Sequence, residues 1–262
     1  MRALRFYTDR ILAPAALIIV ALYLSYSVSA FIQRLSEPPR DMVALAGLQL
    51  ESGIVGIAIA AALSALIASR HNRYGGKDIL ASSSRPEIDR VLIQFIAAYA
   101  PVLGGWLAYV IGTTVAFGIT SKLLVGSAAV GVGALALAAC CAIGQVIGVW
   151  FRPALAVPVA FISAYFFAAF FAIFGDDYWW QWLGPAFGDS FSPQPYALWL
   201  VGEYFWFSGL TVLLLGVNLW ITAAPRRPGL VLYLGIAISA IGATLLAING
   251  SDASPDLPLS LP

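Results

Sequence analysis

The sequence predicts an all-α, polytopic integral membrane bundle of six core spans plus a seventh. Three observations carry that prediction. Charged residues are only 10% of the 262-residue chain and hydrophobic ones 61%. A soluble domain carries about 25% charge, and this chain lacks the polar surface to enclose a single core in water. Long apolar runs recur at lengths near the roughly 20 residues that a helix needs to cross about 30 Å of hydrocarbon. The apolar stretches are continuous, whereas a membrane barrel would alternate in segments of about ten residues.

The first run, 11–33, follows the basic segment "MRALRFYTDR" and holds "ILAPAALIIVALYL" and then "SVSA", an order that imitates a secretory signal. The apolar character continues to Phe31 and Ile32, so the segment is expected to remain as an uncleaved first span. The second run covers 42–68. The third, 88–118, contains Pro101, which is expected to kink it. The fourth, 123–150, is built largely from Gly, Ala, Ser and Cys. In lipid, small residues drive helix association by letting backbones approach closely. Gly144 with Gly148, and Ala129 with Gly133, make such four-residue pairs, so this helix is expected among neighbours. The fifth and sixth runs, 154–174 and 196–223, are aromatic and leucine-rich, with faces expected toward lipid or a partner subunit. The seventh covers 229–249. Residues 1–250 therefore form one transmembrane domain, followed by a Pro- and Ser-rich tail, 251–262, expected to lack regular structure.

Two connections are longer than the rest. The segment 175–195 carries Trp179, Trp180 and Trp182 among Pro and Gly breakers. Such a composition fits short helices at the headgroup level, where Trp pairs an apolar ring with a polar tip. These tryptophans are either an interfacial anchor or a lid over an exit path. The segment 69–87 is the most charged part of the chain. Residues 70–90 alone hold five of its fourteen Lys and Arg residues, three of its thirteen acids and its one histidine.

Basic residues favour the cytoplasmic side of a membrane. With the N-terminus inside, the inner side carries Arg2, Arg5, Arg10, Arg70, Arg73, Lys77, Arg85, Arg90, Arg152, Arg226 and Arg227. The outer side carries Arg34, Arg40 and Lys122. That is eleven against three, and it places the C-terminus outside.

Chemistry-bearing residues within the spans are few. Glu51 and Glu203 lie toward the outer ends of the second and sixth spans. A carboxyl at membrane depth faces a cavity or a partner rather than lipid. The two either line a polar translocation cavity, touching a cationic group, or reach the headgroups and neighbouring helices. Gln145 and Asn218 lie toward the inner ends of their spans, as cavity candidates or as bridges between helices. Adjacent Cys140 and Cys141 point about 100° apart on a helix and read as small packing residues. No His-Glu-x-x-His pair, nucleophile elbow, phosphate loop or Cys/His cluster is present. No catalytic residue, metal site or cofactor of its own is therefore expected, and nothing points to nucleic acid.

The charged segment has internal order. Gly75 and Gly76 break the second span, and "KDILAS" can make one or two helical turns. Ser84, Pro86 and Glu87 read as an N-cap, a first-turn proline and the far side of a capping box that starts the third span. The stretch "RHNRYGGKDILASSSRPEIDRVLIQFIAAYAPVL" resembles the cytoplasmic loop of bacterial type-2 ATP-binding-cassette (ABC) exporter permeases. There a basic turn, a short coupling helix and a Gly-x-acid-x-Leu-x-x-Ser pattern lead into the third span. Gly76, Asp78, Leu80 and Ser83 or Ser84 match that pattern here.

The family also has an amphipathic N-terminal segment and short outer helices between spans five and six. Its core has six spans, so the run 229–249 is a departure. The resemblance implies a permease subunit in the bacterial cytoplasmic membrane, paired with a second copy or a related permease, moving an amphipathic or apolar cargo outward. ATP and Mg would be bound by separate ATPase subunits docked on Gly76, Lys77, Asp78, Ile79, Leu80, Ser83, Ser84 and Glu87. The same composition also fits a non-transporting sensor, immunity or assembly subunit; a secondary carrier would be expected to show repeats and a charged midplane site.

Overall fold

The computed structural model describes the backbone of Ile32 and of residues 42–73, 87–121, 123–174, 197–222 and 229–251, with side chains over most of these stretches. Six helices result: α1 (Met42–Arg73), α2 (Glu87–Ala116), α3 (Leu123–Trp150), α4 (Pro153–Phe174), α5 (Ala197–Thr222) and α6 (Gly229–Ser251). Among the described residues there is no strand. Five helices, α2 to α6, are long and apolar enough to cross a membrane, and the described side chains of α1 add a shorter apolar stretch, Ile54–Ser69. The chain is a helical membrane bundle. The expected first span, 11–33, apart from Ile32, the tail beyond Ser251 and the segment 175–195 with its three tryptophans lie outside the described residues.

Boundaries follow local chemistry. α1 runs to Arg73, past the expected end at 68, because no breaker precedes Gly75 and its polar last turn can leave the apolar layer as helix. The expected connecting segment 69–87 is therefore shorter, since Ser69–Arg73 and Glu87 are helical. α2 continues through Pro101. It ends on Gly118, whose φ of 60° is the left-handed conformation that glycine adopts without a Cβ penalty. The Gly118 amide bonds the Val115 carbonyl at 3.2 Å and the Ile119 amide bonds the Thr114 carbonyl at 3.0 Å. This Schellman-type closure satisfies the last carbonyls. Between α3 and α4 only Phe151 and Arg152 intervene, and the Arg152 carbonyl accepts from the Leu155 and Ala156 amides at 2.9 and 2.7 Å.

α3 is the hub. Of its membrane window 61% is buried, against 22–28% in the other four spans. It meets α1, α4 and α2 on one side and α5 on the other, while α6 packs along α5. Small residues set the distances. A Cβ on Gly144 would strike the Ala61 carbonyl oxygen, and one on Gly148 would lie 2.5 Å from the Ala65 oxygen and 2.7 Å from the Ala68 Cβ. The pairs Ala61–Gly144 and Ala65–Gly148 advance together, so α1 and α3 run parallel. On α4, Ala156, Ala160, Ala164 and Ala168 are each fully buried at four-residue spacing. Its Ile162, Tyr165, Phe166 and Phe170 are exposed, as lipid-facing side chains would be.

The α5–α6 seam is also set by small residues, over a longer stretch. Close approaches join residues 202 to 246, 206 to 242, 209 to 239, 213 to 235 and 216 to 232. One number rises as the other falls, so the pair is antiparallel. Gly202, Gly209 and Gly216 on α5, and Gly235 and Gly242 on α6, recur every seven residues. A strict seven-residue repeat keeps one seam in register when helices wrap left-handedly. α6 is thus an integral half of a hairpin with α5.

Most hydroxyls in the spans return to their own helix. Thr113, Thr114, Thr211, Thr222 and Thr244 each donate to the carbonyl four residues back, at 2.7–2.8 Å. That is the usual way to satisfy an O–H in an apolar layer.

Candidate functional site

Two of the polar contacts that reach between helices lie on the face that α5 turns to α3. Tyr204 donates from its hydroxyl to the Ala128 carbonyl at 2.8 Å, and its ring end fills the space above Gly131. Further along, Asn218 donates from Nδ2 to Gln145 Oε1 at 3.1 Å. Both contacts advance in the same sense, so α3 and α5 are parallel. Tyr99 of α2 donates to the Ala134 carbonyl of α3 at 2.9 Å, tying a third helix to the hub.

Glu203 sits beside Tyr204, six residues into α5, or about 9 Å along the axis at 1.5 Å per residue. It is fully buried, and neither carboxyl oxygen has a hydrogen-bond partner. Leu200 and Phe207, one turn to either side on the same face, are buried in an apolar cluster with Ala129, Val132, Ala136 and Ala139 of α3 and Leu246 of α6. Tyr204, about 100° round the helix, reaches α3; Gly202, about 100° the other way, faces Leu246, which a Cβ there would meet at 3.0 Å. Glu203 therefore points into the junction of α3, α5 and α6.

The Gln145–Asn218 pair lies fifteen residues from Glu203 along α5, about 22 Å away. Each amide keeps one orphan: Gln145 Nε2 and Asn218 Oδ1 are buried without partners. Ser64 Oγ on α1 is a third buried orphan, one turn from the Ala61 that touches Gly144. The structure brings Gln145 and Asn218 together as a bridge between α3 and α5. It does not bring Glu203 to them.

Glu51 lies in the first third of α1, with its side chain outside the described residues. Of the docking residues inferred from resemblance, Gly76, Lys77, Asp78, Ile79, Leu80, Ser83 and Ser84 lie outside the described residues, and Glu87 is the first residue of α2. Cys140 and Cys141 are free and buried in the hub, Cys141 with its thiol 3.9 Å from the Ala60 carbonyl oxygen. Among the described residues no three His, Cys, Asp or Glu side chains come together to hold a metal ion.

Sequence reasoning passed over Tyr204 and the α5–α6 glycines. The seven-residue glycine spacing was visible in the sequence; the reach of Tyr204 depends on Gly131 lying opposite it and was not.

Comparison with protein families, with curated proteins and with solved structures yields no match.

Proposed function

We propose that this chain is the membrane permease subunit of an ATP-driven exporter of the type-2 ABC class. The supporting observation is mechanical. α1 continues unbroken to Arg73, α2 begins at Glu87, and both helices pack on the α3 hub. The thirteen residues between them, 74–86, hang from two membrane helices. α1 grips α3 through backbone-level contacts at Gly144 and Gly148. A displacement delivered to the ends of α1 and α2 therefore reaches the bundle through continuous helix, which is what an element driven by an external motor requires.

The parallel sense of α1 and α3 brings the helix ends that carry Arg70, Arg73 and Arg152 to one pole. The excess of basic residues favours that pole as cytoplasmic, with the N-terminus inside and the C-terminus outside. In this reading the membrane is the bacterial cytoplasmic membrane, and a second copy or a related permease completes the channel. Glu51, the Trp179–Trp182 cluster and the α3–α5 face would line the path of an amphipathic cargo. α6 is an addition to a six-span core, secured by the glycine seam.

Purification of the native chain from its own membranes in mild detergent tests this. The proposal expects a separate subunit with a phosphate-binding loop to co-purify. A preparation that holds full-length chain and no ATPase would overturn it.

A further inference from the structure

Among the described side chains level with Glu203 at the α3–α5–α6 junction, the other hydroxyls are bonded. Tyr204 is held by the Ala128 carbonyl, Ser127 by the Leu124 carbonyl and Thr244 by the Ala240 carbonyl. Glu203 alone brings two oxygens into the cluster of Leu200, Phe207, Val132 and Leu246 with nothing to bond them. An ionised carboxyl cannot remain so placed: a charge in hydrocarbon surroundings needs a counter-ion, coordinating dipoles or water.

A metal cation would need several oxygen ligands, and the facing stretches, Ala128–Val132 and Gly242–Leu246, offer no side-chain oxygen except the engaged Thr244 hydroxyl. The nearest buried hydroxyl without a partner, Ser239, faces Gly209, six residues further along the seam. An organic cation would need space, yet Glu203 is fully covered. A proton needs neither ligands nor space.

We propose that Glu203 is a proton-binding site at the α3–α5–α6 junction. With its proton, the side chain is a neutral group that the apolar cluster can enclose. Without it, α3 and the α5–α6 hairpin must part to admit water or a cation, so proton occupancy is coupled to the packing of the junction. The other ionisable groups on the helices packed there do not neutralise it. On α5 and α3 they are Tyr204, bonded as described, and the distant Cys140 and Cys141. On α6 the one such group is Tyr233, two and a half turns or more from the level of Glu203. On α2 they are Tyr99, bonded to Ala134, Tyr109, and the terminal Glu87, Asp89 and Arg90. Lys122, just before α3, and Glu51 of α1 have side chains outside the described residues, and the test includes Lys122, the one that could pair with a carboxylate. The site does not depend on the ATP-driven reading and stands or falls separately.

The test uses the full chain in liposomes. A hydrophobic carbodiimide takes up the proton of a carboxylic acid in apolar surroundings and is then attacked at its central carbon by the carboxyl oxygen, and peptide mass spectrometry reads the adduct. Infrared spectroscopy reads the C=O band of a carboxylic acid independently. The proposal expects a Glu203 adduct at neutral pH that forms more slowly as the pH is raised. It also expects a carboxylic-acid band that Glu203→Gln removes and Glu203→Asp keeps. Either signal supports the site. Absence of both, or an ionised Glu203 whose carboxylate band shifts on Lys122→Ala, would overturn it.

Discussion

Replacing Gly242 by Ala puts one methyl group into the α5–α6 seam, and its cost can be worked from the geometry. The new Cβ would strike the Trp206 backbone nitrogen and lie 2.7 Å from its Cα and 2.8 Å from the Gly202 oxygen, where ordinary contact begins at 3.4 Å. These are backbone atoms of a regular helix, so no side chain can swing away. The helices must part by at least about 0.7 Å, the gap between 2.7 and 3.4 Å, and further to clear the Trp206 nitrogen. A gap of that size forfeits a quarter to a half of each contact's 0.1–0.2 kcal/mol, and some 50 seam contacts then lose about 2 kcal/mol. Overpacked cores lose about 1–3 kcal/mol, which agrees. Such a loss shifts the folding equilibrium roughly thirtyfold.

The protein carries its own probe for this experiment. Cys140 and Cys141 are free and fully buried in the hub, so a thiol-reactive fluorophore reports opening of the bundle on heating. Gly242→Ala is expected to lower the midpoint by about 4–8 °C. Gly104→Ala is the control, because a Cβ there meets nothing within 4 Å. In a helix Ala exceeds Gly by about 0.5–1 kcal/mol, so that variant should match or exceed the parent. If Gly242→Ala and Gly104→Ala melt together, the seam is not where the structure has it and the reasoning fails.

Three further outcomes follow from the same contacts. Gln145→Leu should cost about 1–3 kcal/mol by stranding Asn218. The double variant Gln145→Leu/Asn218→Leu should recover part of that, with a coupling of about 0.6–1.7 kcal/mol in the thiol assay. Tyr204→Phe removes the bond to Ala128 while keeping the ring, and should cost about 0.5–1.5 kcal/mol; an unchanged midpoint would mean that this bond adds no net stability. On α4, Ala160→Leu should destabilise by about 1–3 kcal/mol because Ala160 is fully buried, whereas Phe166→Leu on the exposed face should stay within about 0.5 kcal/mol.

What the sequence disclosed depended on the scale of the interaction. The run 123–150 coincides with α3, because a helix of small apolar residues has clear polar edges on both sides. Gly144 and Gly148 read as a packing pair from their spacing alone, and they face α1. The alanine ladder Ala156–Ala168 and the glycine heptads were equally written in the sequence. They stood out less among so many small residues, and a heptad announces a seam without naming its partner. Glu203 was conspicuous as an acid in an apolar run, but whether it faced a cavity, a headgroup or a closed core depended on how α3 and α6 converge around it. That convergence arises from contacts between residues some 40 to 75 positions apart, which no local pattern encodes. The same limit applies to Asn218, whose partner Gln145 is 73 residues away.

The central claim, that an external ATPase drives this bundle through the segment between α1 and α2, has one direct measurement. The native complex is reconstituted in liposomes, and ATP hydrolysis is compared for the parent chain and for Asp78→Ala/Leu80→Ala. The account predicts that the variant folds, with buried Cys140 and Cys141 and an unchanged melting midpoint, yet loses both the bound ATPase and the hydrolysis. Equal ATPase binding and equal hydrolysis with the two chains would contradict it.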